Sequence, residues 1–238
     1  TIGQAWAIEE KYGLRSTNYV NPGLISSGVT AYQGRTSQTW DDLWSAYERG
    51  HDISNHGHTH LVLTTLDLEA QKVEIGDGWR EPMARGFTRS ARFLATANGQ
   101  FDANSVTAAK LYQTTLRASS GLLPPYSAVY PVADRYGTTH RYRGISTASQ
   151  PDISVVLEWI DGLIEDGGFL HILTHGIGTA DASYDTTAED YETLCSYLAA
   201  VDIDVLTMSE FYDLGYAAVG PSPFGGVVAG DGTHERTV

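Results

Sequence analysis

The chain has little cysteine and little positive charge, and each shortage excludes a class of protein. Cys195 is the only cysteine among 238 residues, so neither an intrachain disulfide nor a cysteine-based zinc cage can form. Lys and Arg number 15 against 29 Asp and Glu, giving a formal net charge of −14. Nucleic acids and anionic lipids bind clustered basic residues, so neither is an expected partner. No uninterrupted apolar run reaches about eighteen residues, so membrane insertion is not expected either.

The excess of acidic residues has two interpretations. It can be the solvated surface of a soluble protein, or an adaptation to high salt, where counter-ions screen the repulsion between carboxylates. Only three lysines are present, and an aspartate-rich, lysine-poor composition is similar to that of halophilic proteins. The chain begins without a methionine or a signal peptide, which indicates a mature, processed or truncated form.

Helical and strand-like segments alternate along the chain, which predicts an α/β fold with a parallel sheet, open or closed into a barrel. Thr39 caps one helix with Asp42 three residues on, and a helix over 66–85 is expected to be interrupted at Gly76 and Gly78. Residues 1–214 are predicted to form one domain, and 215–238 a Gly/Pro-rich tail or linker. The predicted strands span residues 15–20, 52–55, 91–96, 114–118, 169–174 and 203–206.

The segment from Gly50 to His60 contains four of the eight histidines of the chain. His56 and His60 are four residues apart, so a helical turn would place them on one face and His58 away from it. A catalytic metal site combines neutral imidazoles with a carboxylate and leaves one position open for water. The spacing therefore predicts that His56 and His60 bind one divalent ion.

This segment resembles the second motif of the polysaccharide deacetylase family (NodB-homology, carbohydrate esterase type), Gly-His-Glu-Ile-x-x-His-x-x-x-His. Asp52 stands where that motif has its glutamate. The resemblance runs from about Gln4 to Leu214. It implies a distorted (β/α) barrel, a divalent metal, zinc being the expected one, bound by His56 and His60, and a polysaccharide or glycan substrate outside the cell or at its surface.

The stretch from Phe169 to Gly178 predicts a buried strand that ends in His175 and a glycine-containing loop. The family's corresponding histidine protonates the leaving amine, so the resemblance implies that His175 is the catalytic acid. An imidazole suits this role because its ordinary pKa lies near neutrality. His171, four residues before His175 and on the same face of the strand, is expected to be a hydrogen-bonded interior histidine.

Two further residues are assigned by the resemblance. Asn98, in Ala97-Asn98-Gly99, matches the position whose backbone N–H helps to bind the oxyanion; the alternative is a simple turn before a helix. Arg143 matches an arginine near the catalytic histidine's carboxylate partner; the alternative is a solvated surface arginine.

The family's first motif, Thr-Phe-Asp-Asp-Gly, supplies the general base and the third metal ligand, and nothing in Thr1 to Glu9 matches it. Thr39-Trp40-Asp41-Asp42 has the spacing of a helix start instead. The first strand is therefore expected upstream of Thr1. If the natural protein begins at Thr1, it has two metal ligands and no base.

Three functions follow as alternatives. The first is a metal-dependent hydrolase that removes acetyl groups from N-acetylated or O-acetylated polysaccharide. The second is a non-catalytic carbohydrate-binding or structural module that keeps the same fold. The third is an amidohydrolase-type barrel, in which His56 and His58 would form a metal-binding His-x-His pair.

Overall fold

A computed structural model describes residues 2–28, 31–32, 35–36, 38–117, 136–137, 142–144, 153–166, 170–178 and 186–218. The helices are α1 (Ile2–Lys11), α2 (Pro22–Ser26), α3 (Trp40–Glu48), α4 (Leu68–Ala84), α5 (Ala103–Tyr112), α6 (Ile153–Asp166), α7 (Ala188–Ala200) and α8 (Met208–Ala218). The strands are β1 (Thr17–Val20), β2 (Ala31–Tyr32), β3 (Arg35–Thr36), β4 (Asp52–Asn55), β5 (Phe93–Ala95), β6 (Thr115–Arg117), β7 (Tyr136–Gly137), β8 (Tyr142–Gly144) and β9 (His171–Leu173). Single 3-10 turns occupy Leu63–Thr65 and Ala97–Gly99.

Five strands form one parallel sheet in the order β1-β4-β5-β6-β7. A separate parallel pair joins β8 to β9, and β2 and β3 form a short antiparallel ribbon. All four residues of β4 are buried, as expected for a parallel strand covered on both faces. The predicted α/β fold with a parallel sheet is confirmed, and the chain connecting β7 to β8 lies outside the described residues.

Three apolar clusters cover the sheet and explain why the helices form where they do. The first joins α1, α6 and α7, and includes Ile160 and the buried Cys195. The second packs α1 and α3 against β1 and β4 around Leu43, Ile53 and Phe87. The third packs α4 and α5 against β5 and β6. Burial of these apolar faces is the main favourable term that holds the helices on the sheet.

The start of α3 follows its sequence signature. The Thr39 side chain accepts a hydrogen bond from the Asp42 N–H, and the Asp42 carboxylate accepts one from the Thr39 N–H at 2.9 Å. Two backbone donors at the helix start are thereby satisfied. Thr39 to Asp42 is thus a helix N-terminus.

The structure differs from the sequence-based boundaries in three places. Helix α4 runs without interruption through Gly76 and Gly78, because these glycines allow close packing: a Cβ on Gly76 would lie 3.0 Å from the Tyr112 ring. Residues 203–206 are not assigned as a strand, and α8 continues to Ala218, past the predicted domain end at 214. Residues 219–238, most of the predicted tail, lie outside the described residues.

Buried ionic contacts fix α8 against the sheet. Asp52, fully buried at the start of β4, accepts hydrogen bonds from Arg89 Nε at 2.9 Å and from Ser209 N and Oγ at 2.8 and 2.9 Å. Arg89 also donates to the His51 carbonyl at 2.7 Å. Asp52, in the position where the family motif has a glutamate, therefore anchors the first turn of α8. Within the described ranges, no helix is both long enough and apolar enough to cross a membrane.

Candidate metal and catalytic site

The two predicted metal-binding histidines lie where β4 ends. His56 follows Asn55, the last residue of β4, and its N–H donates to the Val20 carbonyl at the end of β1 at 2.9 Å. Asn21 then donates its side-chain amide to the carbonyls of His56 and Gly57 at 2.8 and 3.1 Å. The carboxyl ends of parallel strands are where sites gather in α/β folds, so this turn has the position expected of a functional site.

The structure brings the rings of His56 and His60 together. Their centroids are 4.9 Å apart with an interplanar angle of 66°. The chain between them is not a helical turn; it is an irregular turn in which Gly57 has φ 83° and His60 has φ 67°. Two imidazoles at this separation can share one ion. The prediction that a helical turn would bring them together was wrong, because an irregular turn does so instead.

One hydrogen bond fixes the tautomer of His56. Its Nδ1 lies 2.9 Å from the carbonyl oxygen of Ala95 at the end of β5, and a carbonyl can only accept, so Nδ1 carries the proton. Nε2 is then the atom with the lone pair that a metal requires. Burial lowers the pKa of His56 to about 3, against the opposing effect of the Ala95 hydrogen bond. Burial also lowers the pKa of His60. Both rings are therefore neutral near pH 7, as metal ligands must be.

His58 takes no part in this pair. Its Nε2 lies 3.6 Å from a carboxylate oxygen of Glu81 on α4. On its other side the ring packs on Gly23, where an added Cβ would come within 2.7 Å of it. The rings of His56 and His58 are thus held by different neighbours, which does not fit the His-x-His arrangement of an amidohydrolase-type site.

Asn98 lies in the turn after β5, in the Ala97–Gly99 segment, and is exposed. Its φ of 54° and ψ of 18° are left-handed. Among the described residues, His60 and Asn98 are the two non-glycine residues with positive φ, and both follow the carboxyl ends of neighbouring strands. Such unfavourable backbone conformations cluster at functional sites. The hydrogen bonds of this turn do not show what the N–H of Asn98 would bind.

His175 is exposed and follows β9, two residues after Leu173. Burial is the main cause of the low pKa of His56, and electrostatic interactions with His60, Arg117 and His175 lower it further. His175 therefore lies within electrostatic range of His56, although the two are 119 positions apart in the sequence. Arg143 pairs with Ile172 in the β8–β9 ladder, and its side chain lies outside what the structure describes.

Two residues that the sequence analysis missed contact or approach the site. Arg117, at the end of β6, is 7% exposed, and its guanidinium lies 4.4 Å from the ring centroid of Tyr19 on β1. Glu74 on α4 is 4% exposed and accepts hydrogen bonds from the turn that carries His60. Neither belongs to a sequence motif, and only the folded chain places them beside the histidines.

The described residues contain no cluster of three or more His, Cys, Asp or Glu side chains suited to a metal ion. The neutral pair of His56 and His60 nevertheless fits a divalent ion as part of a ligand set, because each ring can present one nitrogen and the tautomer of His56 is fixed. A catalytic zinc site takes three protein ligands and a water molecule. His56 and His60 are therefore candidates for two of those three ligands.

Comparison with known proteins finds one family model and several solved structures that are similar to this chain. Residues 4–116 match the family model for polysaccharide deacetylase. Peptidoglycan deacetylase PdaC of Bacillus subtilis superposes with a TM-score of 0.57 at 14% identity, over 90% of this chain and 83% of that one. A family 4 carbohydrate esterase from Streptomyces lividans, in complex with acetate, gives 0.52 at 13% identity, over 83% of this chain and 79% of that one.

A third solved structure with the same fold is described as a pseudoenzyme. This family 4 protein from Bacillus anthracis gives a TM-score of 0.54 at 13% identity, covering 88% of this chain and 59% of its own length. Among curated protein sequences, no match is found. Residues 4–116 are therefore similar to the polysaccharide deacetylase family, and the described part of the chain has a fold similar to that of the family 4 carbohydrate esterases.

Proposed function

We propose that this chain is a metal-dependent hydrolase that removes acetyl groups from a polysaccharide, N-acetylated or O-acetylated, outside the cell or at its surface. One observation carries the proposal: the paired rings of His56 and His60, 4.9 Å apart at the carboxyl edge of a parallel sheet, inside the segment that matches the deacetylase family model. The hydrogen bond to the Ala95 carbonyl places the proton of His56 on Nδ1, which leaves Nε2 to bind the ion.

The proposed metal is zinc or a related divalent ion, held by His56 and His60. When bound, it would polarise the acetyl carbonyl and lower the pKa of a water molecule. Three basic side chains, His60, Arg117 and His175, lower the pKa of His56 electrostatically. A dication in such surroundings is stabilised only if carboxylates join it. The proposal therefore includes a third ligand and a general base from carboxylates beyond the described residues, as the family's Asp-Asp motif implies.

The chain's own residues have the following proposed roles. His175 is exposed to solvent and can exchange a proton, so it protonates the departing amine or alcohol. The N–H of Asn98 faces the developing oxyanion from the turn after β5, where an oriented backbone donor stabilises charge. Arg143 is proposed as a positioning residue near His175, since β8 carries it beside β9.

A second function is supported by different observations. A non-catalytic carbohydrate-binding or structural module would keep this fold without the base, and the similar fold of a family 4 pseudoenzyme from Bacillus anthracis supports this alternative. The stretch from Ala95 to Asp102, which resembles the family's third motif, also has Ala97 where the family has a proline.

Acetate release distinguishes these functions. The purified chain, loaded with zinc, is incubated with N-acetylated and with O-acetylated polysaccharide, and free acetate is measured with and without a chelator. Zinc-dependent release that the His56→Ala variant lacks supports the hydrolase and identifies the bond that is cut. Stoichiometric zinc binding with retention on the polymer but no acetate supports the non-catalytic module. Release that is unchanged by the chelator and by His56→Ala would overturn the proposed site.

A further inference from the structure

One buried carboxylate organises the turn that carries the two histidines. Glu74, on α4, accepts the N–H of Thr59 at 2.7 Å and the N–H of Leu61 at 3.3 Å through one oxygen, and the Thr59 hydroxyl at 2.9 Å through the other. Its own carbonyl accepts the His58 N–H at 3.0 Å. Glu74 therefore receives hydrogen bonds from three residues of the turn.

The hydrogen bonds of Glu74 bracket His60. They come from the residues immediately before and after it, and His60 between them has φ 67°. A left-handed backbone is unfavourable for a residue with a side chain and persists where the surroundings enforce it. Hydrogen bonds to an ionised acceptor are stronger than those between neutral groups. The hydrogen bonds to the Glu74 carboxylate thus stabilise the left-handed conformation of His60.

Helix α4 and the turn are packed too closely for either to shift alone. A Cβ on Gly57 would lie 2.8 Å from Glu74 Oε1. A Cβ on Gly78, one helical turn after Glu74, would lie 2.9 Å from the Gly57 carbonyl carbon and 3.0 Å from the His58 nitrogen. The helix face formed by Glu74 and Gly78 is therefore shaped to receive the backbone of the turn.

We propose that Glu74 is the positioning residue of the metal site: through its hydrogen bonds to the turn, it fixes His60 beside His56 before an ion binds. This inference rests on the proposed metal-binding function and deepens it. A site assembled in advance binds its ion without an ordering cost at the moment of binding, and outer partners of ligating side chains commonly control affinity in this way. The affinity for zinc should therefore depend on Glu74.

The test is the zinc dissociation constant of the full chain, measured by competition with a chromophoric chelator. Glu74→Gln keeps the size of the side chain but removes the charge and one acceptor, and we expect affinity to fall by about 10- to 100-fold. Glu81→Gln is the matched control, because Glu81 lies on the same helix and contacts His58 instead. Its affinity should equal that of the wild type.

A second readout separates positioning from simple stability. Cobalt replaces zinc, and its visible absorption reports the ligand geometry; the spectrum should change in Glu74→Gln and not in Glu81→Gln. If Glu74→Gln does not fold, Thr59→Val removes one of the three hydrogen bonds to the carboxylate and should weaken zinc binding by a few fold. If the variant that folds, Glu74→Gln or Thr59→Val, has the zinc affinity and the cobalt spectrum of the wild type, the role of Glu74 is overturned while the metal site itself stands. A wild-type chain that binds no zinc would overturn the metal site, and this inference with it.

Discussion

The Nδ1–H of His56 donates to the carbonyl oxygen of Ala95 at 2.9 Å, a bond between residues 39 positions apart that leaves Nε2 of the ring without a proton. His56 leaves the sheet at the end of β4, and Ala95 is the last residue of β5, the strand that pairs with β4. The sheet thus supplies the acceptor that sets the tautomer. Histidine ligands in metal sites are commonly held in this way.

The first prediction concerns metal content. His56→Ala and His60→Ala should each abolish stoichiometric binding of zinc, because two imidazoles are all the ligands that the described residues supply. His58→Ala is the control and should bind zinc normally, since its ring faces Glu81. The measurement is zinc per chain by mass spectrometry after dialysis. Metal lost in His58→Ala and retained in His60→Ala would favour the His-x-His pairing instead.

The second prediction concerns the acid. In a chain that releases acetate, His175→Ala should lower kcat by roughly 10²- to 10⁴-fold, the usual contribution of a general acid. Zinc content and melting temperature should stay unchanged, because the side chain is exposed and such substitutions alter stability little. Steady-state acetate release gives kcat. Full turnover in the variant would remove His175 from the proposed mechanism.

The third prediction is a pH dependence of stability in the metal-free chain. Burial lowers the pKa of His56 to about 3 in the folded state, against about 6.5 when unfolded. Between these values the unfolded chain binds one more proton at this residue than the folded chain does. The contribution of His56 to stability is therefore fully present above about pH 6.5 and is lost as the pH falls towards 3.

Urea denaturation in a chelating buffer tests this sign. The free energy of unfolding of His56→Gln should fall less steeply between about pH 6 and pH 4 than that of the wild type, by up to about 1.4 kcal/mol per pH unit. His175→Gln is the control, because this residue is exposed. Identical slopes in His56→Gln and in the wild type would show that the imidazole is not held neutral.

The fourth prediction concerns Asp52. Asp52→Ala should destabilise the chain by about 3 kcal/mol, because it leaves Arg89 and the Ser209 N–H without their shared buried acceptor. Asp77→Ala is the control: it breaks only the ion pair with Arg80 within α4, and exposed pairs contribute less than about 1 kcal/mol. Chemical denaturation gives both values. Equal effects in the two variants would show that Asp52 does not anchor α8.

Local patterns in the sequence predicted much of the fold. The capping pair of Thr39 and Asp42 fixed the start of α3, the apolar spacing around Ile160 predicted α6, and the run Asp52 to Asn55 is β4 as expected. These elements depend on neighbours three or four residues away in helices, or on continuous burial in a strand. The position of His56 and His60 at a strand end could therefore be inferred from the residues around them.

Local patterns wrongly predicted that α4 is interrupted. Gly76 and Gly78 lower helix propensity, which suggested a break, yet α4 is continuous through both. Gly78 is required because the backbone of Gly57 and His58 approaches the helix closely. These contacts join residues about twenty positions apart in the sequence. Tertiary packing of this kind outweighs propensity.

The sequence by itself determined most of the helices and strands around the histidines, the pair of histidines and the place where they leave the sheet, because each depends on residues close together in the chain. Only the tertiary structure decided how the two rings meet, which nitrogen of His56 carries the proton, and that Glu74 supports the turn from the next helix. Those features depend on the Ala95 carbonyl and the Glu74 carboxylate, which folding brings from other elements, and no local pattern contains that information.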